Sequence, residues 1–231
     1  MTQLKEFQEI IGYKFTNENH LRVALTHSSY ANESKSKHAQ FNERLEFLGD
    51  SVLGLVVSRY IFENFPKLPE GKMTKMRAAV VCERSLWECA VNIELGKYVI
   101  LGKGEERMGG RTRMSILADA FEALIAAIYL DSSLDTVREW ILGQLYETII
   151  DASRGKMFTD YKTDFQEAAQ KRGDVNIKYV VENESGPDHA KIFSVNVYLN
   201  GKVMGSGEGA SKKKAEQKAA QNALIKMKAA K

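Results

Sequence analysis

The sequence predicts two domains of different class: an all-α domain over residues 1–150 and a small α+β domain over residues 160–231, joined by a linker at 151–159. Two observations lead to this division. Apolar residues recur every three or four positions up to about residue 150, which is typical of amphipathic helices. Beyond a short polar segment the spacing becomes alternating, which is typical of β-strands. A chain of 231 residues with 44% hydrophobic content can form two domains that each bury a core.

Helices account for the whole of the predicted N-terminal domain. The helical spacing is clearest in residues 45–56, 117–128 and 134–145. Glycine and proline cluster at 65–71, and glycine clusters again at 102–110, so we expect the helices to be interrupted there. No stretch of this domain predicts a strand.

The C-terminal domain is predicted to have the order α-β-β-β-α. A short helix ends at Gly173, and two alternating stretches follow it as strands. Asn200-Gly201 comes directly after the second stretch and is a strong signal for a tight hairpin. The predicted bounds are 163–172 for the first helix, 176–182, 191–199 and 202–206 for the strands, and 211–228 for the last helix.

Several classes of protein are excluded by composition. The amino terminus lacks the apolar segment of a signal peptide, and the longest apolar run, 123–130, is far shorter than the roughly 20 residues of a membrane span. Cys82 and Cys89 are two helical turns apart, which is too far for a disulfide between them. We therefore expect a cytoplasmic protein without a membrane segment, in which both cysteines are reduced.

The positive charge is concentrated in the C-terminal third. Residues 160–231 contain 13 lysines and arginines against 9 aspartates and glutamates, whereas residues 1–159 contain 20 against 21. The last predicted helix begins with Lys212, Lys213 and Lys214, although the helix dipole disfavours cations at that end. A bound phosphate would reverse this balance, so the pattern indicates a module that binds a polyanion. The alternative is a solvated run of lysines.

Five carboxylates lie on two predicted helices that are otherwise apolar. Glu43, Glu46 and Asp50 are spaced i, i+3 and i+7, which places them within roughly a 60° arc of one helix face. Asp119 and Glu122 are spaced i, i+3 between apolar residues. Carboxylates on an ordinary helix are simply solvated, but flanks as apolar as these indicate partial burial. Like charges about 4 Å apart would then repel by roughly 4 kcal/mol.

A divalent cation would remove that repulsion. No histidine or cysteine stands near these carboxylates in the sequence, and a site with oxygen ligands alone suits Mg²⁺ or Mn²⁺. Metals held by carboxylates and positioned to activate water are the usual equipment for hydrolysis of phosphodiesters. The spacing leaves open whether the two helices meet in space.

Residues 42–53, Asn-Glu-Arg-Leu-Glu-Phe-Leu-Gly-Asp-Ser-Val-Leu, closely resemble the signature of the ribonuclease III family. Residues 118–123 resemble the second acidic motif of that family, and residues 25–30 and 69–71 match it as well. The resemblance implies that the first domain is an endonuclease domain. It also implies a metal-dependent endoribonuclease that hydrolyses phosphodiester bonds of double-stranded RNA and leaves 5′-phosphate and 3′-hydroxyl ends.

The resemblance also implies roles for single residues. The implied metal ligands, with Mg²⁺ as the ion and Mn²⁺ as a substitute, are Glu46, Asp119 and Glu122. The implied catalytic residues are Glu43, Asp50, Glu70 and Glu122. No small-molecule cofactor is expected. His27 receives no catalytic role, because a histidine beside Ser28-Ser29-Tyr30 is more often a capping or packing residue.

A homodimer is the third implication, since the family acts as a dimer in which each protomer cuts one strand. Phe47 resembles the aromatic residue that inserts into the partner subunit, and the alternative is an ordinary core phenylalanine. Precursors of ribosomal RNA and structured messenger RNAs are the substrates that the resemblance implies.

Residues 160–228 resemble a double-stranded-RNA-binding domain, with matches in its first helix at 161–167 and in the loop between its first two strands at 186–191. Such domains read the shape of A-form RNA through 2′-hydroxyls in two minor grooves and the phosphates between them. The implied minor-groove contacts are Gln166, Glu167 and His189, and the implied phosphate contacts are Lys212, Lys213 and Lys214. For His189 the alternative is a packing role.

Two other functions compete with the enzyme. A non-catalytic protein that binds duplex RNA would be expected to have lost one or more of the carboxylates, yet all five are present. A metal-dependent DNA nuclease is disfavoured by the RNA-type domain, because the 2′-hydroxyl distinguishes RNA from DNA.

Overall fold

The computed structural model describes residues 2–34, 40–154, 161–171, 173, 175–187 and 191–229. The chain divides into two compact units, residues 1–157 and 158–231. The first is helical, and the second combines an antiparallel sheet with two helices, which confirms the predicted fold classes. The bounds predicted for the domains and the linker stay a prediction; helix α9 continues to Ser153.

Nine α-helices form the described part of the first unit. They are α1 Thr2–Ile11, α2 Glu18–Leu25, α3 Ser28–Glu33, α4 Glu43–Asn64, α5 Glu70–Val80, α6 Glu83–Asn92, α7 Lys103–Arg107, α8 Met114–Asp131 and α9 Leu134–Ser153. Two short 3-10 turns lie at Leu95–Lys97 and Gly110–Thr112. A single isolated bridge, between Thr26 and Ile100, is the β-structure found among the described residues of this unit.

The glycine-rich segment 102–110 is not the plain interruption that its composition suggests, because α7 lies within it. The carboxylate of Glu33 stabilises the start of this helix. It accepts hydrogen bonds from the backbone N–H groups of Lys103 and Gly104, at 2.8 and 3.1 Å. A carboxylate at a helix N-terminus satisfies donors that have no partner within the helix.

Helix α8 lies at the centre of the first unit. Most of its residues are buried, because α2, α4, α6 and α9 pack around it. Its last residue, Asp131, accepts hydrogen bonds from the Tyr13 hydroxyl and from the backbone N–H groups of Thr16 and Asn17. These bonds fix the end of α8 against the segment between α1 and α2.

In the second unit, helices α10 and α11 cover one face of a sheet with the strand order β1-β2-β3. The elements are α10 Tyr161–Gln170, β1 Ile177–Ser185, β2 Ile192–Leu199, β3 Lys202–Gly209 and α11 Lys212–Ala229. Asn200 and Gly201 both have positive φ, 50° and 80°, as a tight hairpin turn requires. The core contains Phe165, Val195 and Val197 packed against alanines of α11.

Candidate active site and RNA interface

The acidic site forms where helices α4 and α8 meet. Gly49 lies at the contact, and a Cβ atom built there would come within 1.9 Å of the carbonyl oxygen of Glu122. Only glycine permits so close an approach between two backbones. Glu46 and Asp50 stand on either side of Gly49 in the sequence, so the contact brings them towards Glu122. The sequence left open whether α4 and α8 meet. In the structure they do meet, at the positions of their carboxylates.

Three of the carboxylates form a compact group, which we call the acidic triad. Glu46, Asp119 and Glu122 each offer one carboxylate oxygen, and these oxygens lie within 4.8 Å of one another. All three residues are half-buried. Mg²⁺ binds oxygens at roughly 2.1 Å, which places adjacent ligand oxygens about 3 Å apart. Small side-chain rotations would therefore bring the triad to the spacing of a ligand set.

Burial and like charges raise the pKa of these groups. Burial is the largest cause for Glu122, and with the charges of Asp50, Glu46 and Asp119 it raises the pKa to about 8. Burial and the charges of Asp119, Glu43 and Asp50 also raise the pKa of Glu46. Every charged group that shifts the pKa of Glu122 is another carboxylate. Such a group is electrostatically suited to a cation.

Two further residues act on Asp119, although neither was assigned to the acidic site from the sequence. Burial raises the pKa of Asp119, the charge of Glu83 raises it further, and His27 lowers it. Glu83 is the first residue of α6 and shares no short motif with Asp119, so no sequence pattern indicated that the two residues interact. The Nδ1 atom of His27 accepts a hydrogen bond from the backbone N–H of Ser29, which makes His27 the N-cap of α3. Capping was one of the two roles expected for it, the other being packing.

The predicted RNA contacts lie on two helices of the second unit. Gln166 and Glu167 are exposed on α10, and the three lysines form the first turn of α11. The Nζ atom of Lys212 lies 3.1 Å from a carboxylate oxygen of Glu184 and 5.6 Å from the ring centroid of Phe193. Lys213 lines one cleft together with Gln166. His189 lies outside the described residues.

Comparison with known proteins decides the family. The model of the family described as Ribonuclease-III-like matches residues 17–149, and that of the double-stranded RNA binding motif matches residues 161–227. Ribonuclease 3 of Clostridium tetani is 51% identical over 224 residues, which cover 97% of this chain and 94% of the relative. Ribonuclease 3 of Listeria monocytogenes is 50% identical over 227 residues, which cover 98% and 99%. The chain belongs to the ribonuclease III family.

As a ribonuclease III with a double-stranded RNA binding motif, the chain is an endoribonuclease specific for double-stranded RNA. Two solved structures of the nuclease domain of ribonuclease III from Campylobacter jejuni match it at 39% identity, with TM-scores of 0.58 and 0.59. The matched regions cover 62% and 64% of this chain, and 96% and 97% of the two Campylobacter jejuni chains. One of them is described as showing structural flexibility in a region involved in dimer formation.

Within the described residues of this ribonuclease III, no helix has the length and apolar character that a membrane crossing would need. Cys82 and Cys89 are free thiols.

Glu70 lies apart from the acidic triad in this ribonuclease III. Its carboxylate accepts a hydrogen bond from the Thr74 hydroxyl at 2.8 Å, and it lines a pocket of about 280 Å³ together with Ser58 and Phe62. Ser58 is twelve residues beyond Glu46 on α4, a distance of about 18 Å at 1.5 Å per residue. A single chain therefore does not place Glu70 at the acidic triad, and its catalytic role stays a prediction.

Phe47 is not part of the core, which excludes the alternative that the sequence left open. Phe47 is 78% exposed, and on the same helix Leu55 is 55% exposed and Phe62 is 70% exposed. At 100° per residue these residues and Ser51 fall on one side of α4. We refer to Phe47, Ser51, Leu55 and Phe62 as the α4 stripe. An exposed apolar surface of this kind is typical of a site of interaction.

Proposed function

We propose that this ribonuclease III hydrolyses the phosphodiester bonds of double-stranded RNA with Mg²⁺ at the acidic triad, leaving 5′-phosphate and 3′-hydroxyl ends, and that Mn²⁺ substitutes. The observation that carries the proposal is the approach of three carboxylate oxygens to within 4.8 Å of one another. Such oxygens suit these hard ions. Glu46, Asp119 and Glu122 would hold the metal, which supplies a bound water of lowered pKa as nucleophile.

The remaining acidic residues would position the reactants. Asp50 and Glu43 are exposed on α4 and close enough to Glu46 for their charges to raise its pKa. From there they would accept hydrogen bonds from the attacking water and orient it towards the scissile phosphate. Glu122, with its pKa of about 8, carries a proton at neutral pH without metal and loses that proton on becoming a ligand.

Selection of duplex RNA would come from the second unit. Gln166, Glu167 and His189 are proposed to contact the minor grooves. Lys212, Lys213 and Lys214 are proposed to contact phosphates. The placement of the lysines in the first turn of α11 supports this, because backbone N–H groups at a helix start also attract anions.

We also propose a homodimer in which two copies pack through the α4 stripe. The occupant of each pocket beside Phe62 would be Phe47 of the second copy, because an isologous interface requires such a reciprocal exchange. Gly54 and Leu55 lie half-way between these phenylalanines. A Cβ atom on Gly54 would meet nothing within 4 Å in its own chain. The glycine therefore leaves room for a second helix.

This dimer would also explain Glu70. The pocket that would receive Phe47 is lined by Glu70, and Phe47 is the neighbour of Glu46 in the sequence. Insertion would therefore bring Glu70 of one copy towards the acidic triad of the other. Glu70 would complete the site from the partner and not from its own chain.

For natural substrates we propose the duplexes in precursors of ribosomal RNA and in structured messenger RNAs, with the cytoplasm as the compartment. The family membership supports these substrates. Contacts to 2′-hydroxyls and phosphates read the shape of a duplex and would accept many sequences.

Cleavage of a long RNA duplex with and without Mg²⁺ tests the activity. We expect cutting with the metal, and little cutting of single-stranded RNA or duplex DNA. Glu122→Gln should abolish cutting while duplex binding persists, whereas Glu147→Gln, an exposed residue of α9, should cut like the unaltered protein. Full activity of Glu122→Gln would refute its assignment as a ligand, and no cutting with either Mg²⁺ or Mn²⁺ would refute the proposed metals.

A further inference from the structure

An open cleft of about 520 Å³ lies along α10, α11 and β1 in the second unit. Residues from both helices and from β1 line it, among them Lys162, Gln166, Tyr179, Lys213 and Glu216. The set includes one proposed minor-groove contact, Gln166, and one proposed phosphate contact, Lys213. The width of the cleft therefore sets the distance between these two RNA contacts.

An ion pair crosses this cleft. The Nζ atom of Lys162 on α10 donates a hydrogen bond to a carboxylate oxygen of Glu216 on α11 at 2.7 Å. The same Nζ atom lies 4.5 Å from the ring centroid of Tyr179. The side chains of Lys162 and Glu216 are 36% and 26% exposed, so the pair is better shielded than an ordinary surface salt bridge.

Each residue of the ion pair lies next to a proposed RNA contact on its own helix. Gln166 follows Lys162 by one helical turn, and Lys213 precedes Glu216 by three residues, so each partner lies on the same side of its helix as a contact. A second bond between the helices, from the Gln221 amide to the Tyr161 hydroxyl at 2.7 Å, lies five residues beyond Glu216 on α11. A change at the ion pair would therefore move the two contacts relative to each other.

We propose that Lys162 and Glu216 are a positioning pair for duplex RNA, which holds Gln166 and Lys213 at the separation that a minor groove and its neighbouring phosphates require. The inference rests on the proposed function of the second unit. Lys162 acts through the helix geometry and not as a phosphate contact, because its ion pair with Glu216 is short, at 2.7 Å, and its side chain is only 36% exposed, whereas the side chain of Lys212, which pairs with Glu184 at 3.1 Å, is 59% exposed. Glu216 supports binding even though it places a negative charge beside a polyanion site.

The negative charge of Glu216 distinguishes a positioning role from a purely electrostatic one. Removal of a carboxylate near the RNA would by electrostatics alone strengthen binding. A positioning role requires the opposite, namely that Glu216→Gln weakens binding. We expect Glu216→Gln and Lys162→Met each to weaken duplex RNA binding about fivefold to tenfold, within the range of coupling for contacting residues. In cleavage assays KM should rise while kcat stays unchanged.

The exchange of the two charges provides the matched control. The double variant Lys162→Glu with Glu216→Lys keeps the net charge and restores the pair in reverse, so we expect affinity within about twofold of the unaltered protein. Lys162→Arg, which preserves the charge, should also bind nearly normally. Circular dichroism and thermal unfolding of the full chain would verify that each variant is folded.

Titration of a fluorescent RNA duplex at several salt concentrations separates the outcomes. Weakening by both single variants, with rescue by the exchange, supports the pair. Tighter binding by Glu216→Gln, with a salt slope smaller by about one in Lys162→Met, would make Lys162 a phosphate contact and overturn the proposal. Normal binding by all variants, or failure of the exchange to rescue, would also overturn it.

Lys213→Ala serves as the separate control: if it leaves affinity and salt slope unchanged, the proposed RNA face itself is wrong.

Discussion

Single residues set the chemistry of the acidic site, and Glu122 shows most directly how burial and charge are linked there. Gly49 permits α4 to lie against the backbone of Glu122. The charged groups that act on the Glu122 side chain are all carboxylates. With a pKa of about 8, the Glu122 carboxyl of the folded protein without metal is mostly protonated at neutral pH. Protonation and metal binding therefore compete for the same oxygen atoms.

This competition predicts how stability depends on pH. The pKa of Glu122 in the folded protein, about 8, lies above its ordinary value of 4.5, so the folded state binds the proton more tightly than the unfolded state. Without metal, the free energy of unfolding should therefore fall as the pH rises between these two values. Glu122→Gln cannot ionise, and its unfolding should depend less on pH in this window. Thermal unfolding in a chelating buffer measures both slopes, and equal slopes would contradict the assigned pKa.

The control for that experiment is the same unfolding measurement in saturating Mg²⁺. Mg²⁺ should bind more tightly as the pH rises, because its ligands must be ionised, and should thereby offset the loss of stability in the unaltered protein. Glu122→Gln should show a smaller gain from Mg²⁺. A gain of the same size in both proteins would place the ion elsewhere.

At this scale the sequence predicted part of the site. The spacing of Glu43, Glu46 and Asp50 was enough to place them on one helix face, because helix geometry is local. The spacing could not reveal the charge of Glu83 acting on Asp119, nor the ion pair between Lys212 and Glu184. Both depend on contacts between elements that are distant in the sequence.

Among the elements, α4 shows why apolar composition was ambiguous. Its sequence is apolar on most sides, which indicates a largely buried helix. One apolar side, with Val52, Leu53 and Val56, is buried in the core of its own chain, whereas the α4 stripe is exposed. A second copy of the chain would cover this stripe. Periodicity alone gives the same pattern for a core and for an interface.

Gly54 offers a test of that interface at the level of the helix. Gly54→Leu should fold, since a Cβ atom there meets nothing in its own chain and leucine favours helices. The added side chain should hold two stripes apart and weaken the dimer by tenfold or more. Sedimentation velocity over a range of protein concentrations measures this. Gly143→Leu on α9, another open helical glycine, is the matched control; a stable dimer with Gly54→Leu would contradict the proposed packing.

Strand β3 shows a limit of another kind. The sequence predicted it to end near Ser206, yet it continues to Gly209. Glycines are depleted in strands, so this segment gave a weak signal. The structure uses them for close packing: a Cβ atom on Gly207 would come within 2.2 Å of the backbone nitrogen of Ala219 in α11. Contact with a distant helix therefore outweighs the local preference.

For the whole molecule, the change in residue spacing predicted two units and their fold classes, because helices and strands have different periods. The spacing could not establish that α4 and α8 meet. That contact joins residues more than seventy positions apart and depends on Gly49. The family resemblance supplied this step, together with Glu70, whose position in a single chain does not explain its predicted role.

A mixing experiment decides whether Glu70 acts in its own chain or across the dimer. The Glu122→Gln homodimer should not cut, and the Glu70→Gln homodimer should cut at least about tenfold more slowly than the unaltered protein. Subunit exchange between them creates mixed dimers. If Glu70 acts across the interface, one of the two sites in a mixed dimer receives both intact residues, so cleavage of one strand should return to about half the normal rate per dimer. If Glu70 acts within its own chain, every site lacks one residue and mixing restores nothing. Full activity of Glu70→Gln alone would remove Glu70 from the site altogether.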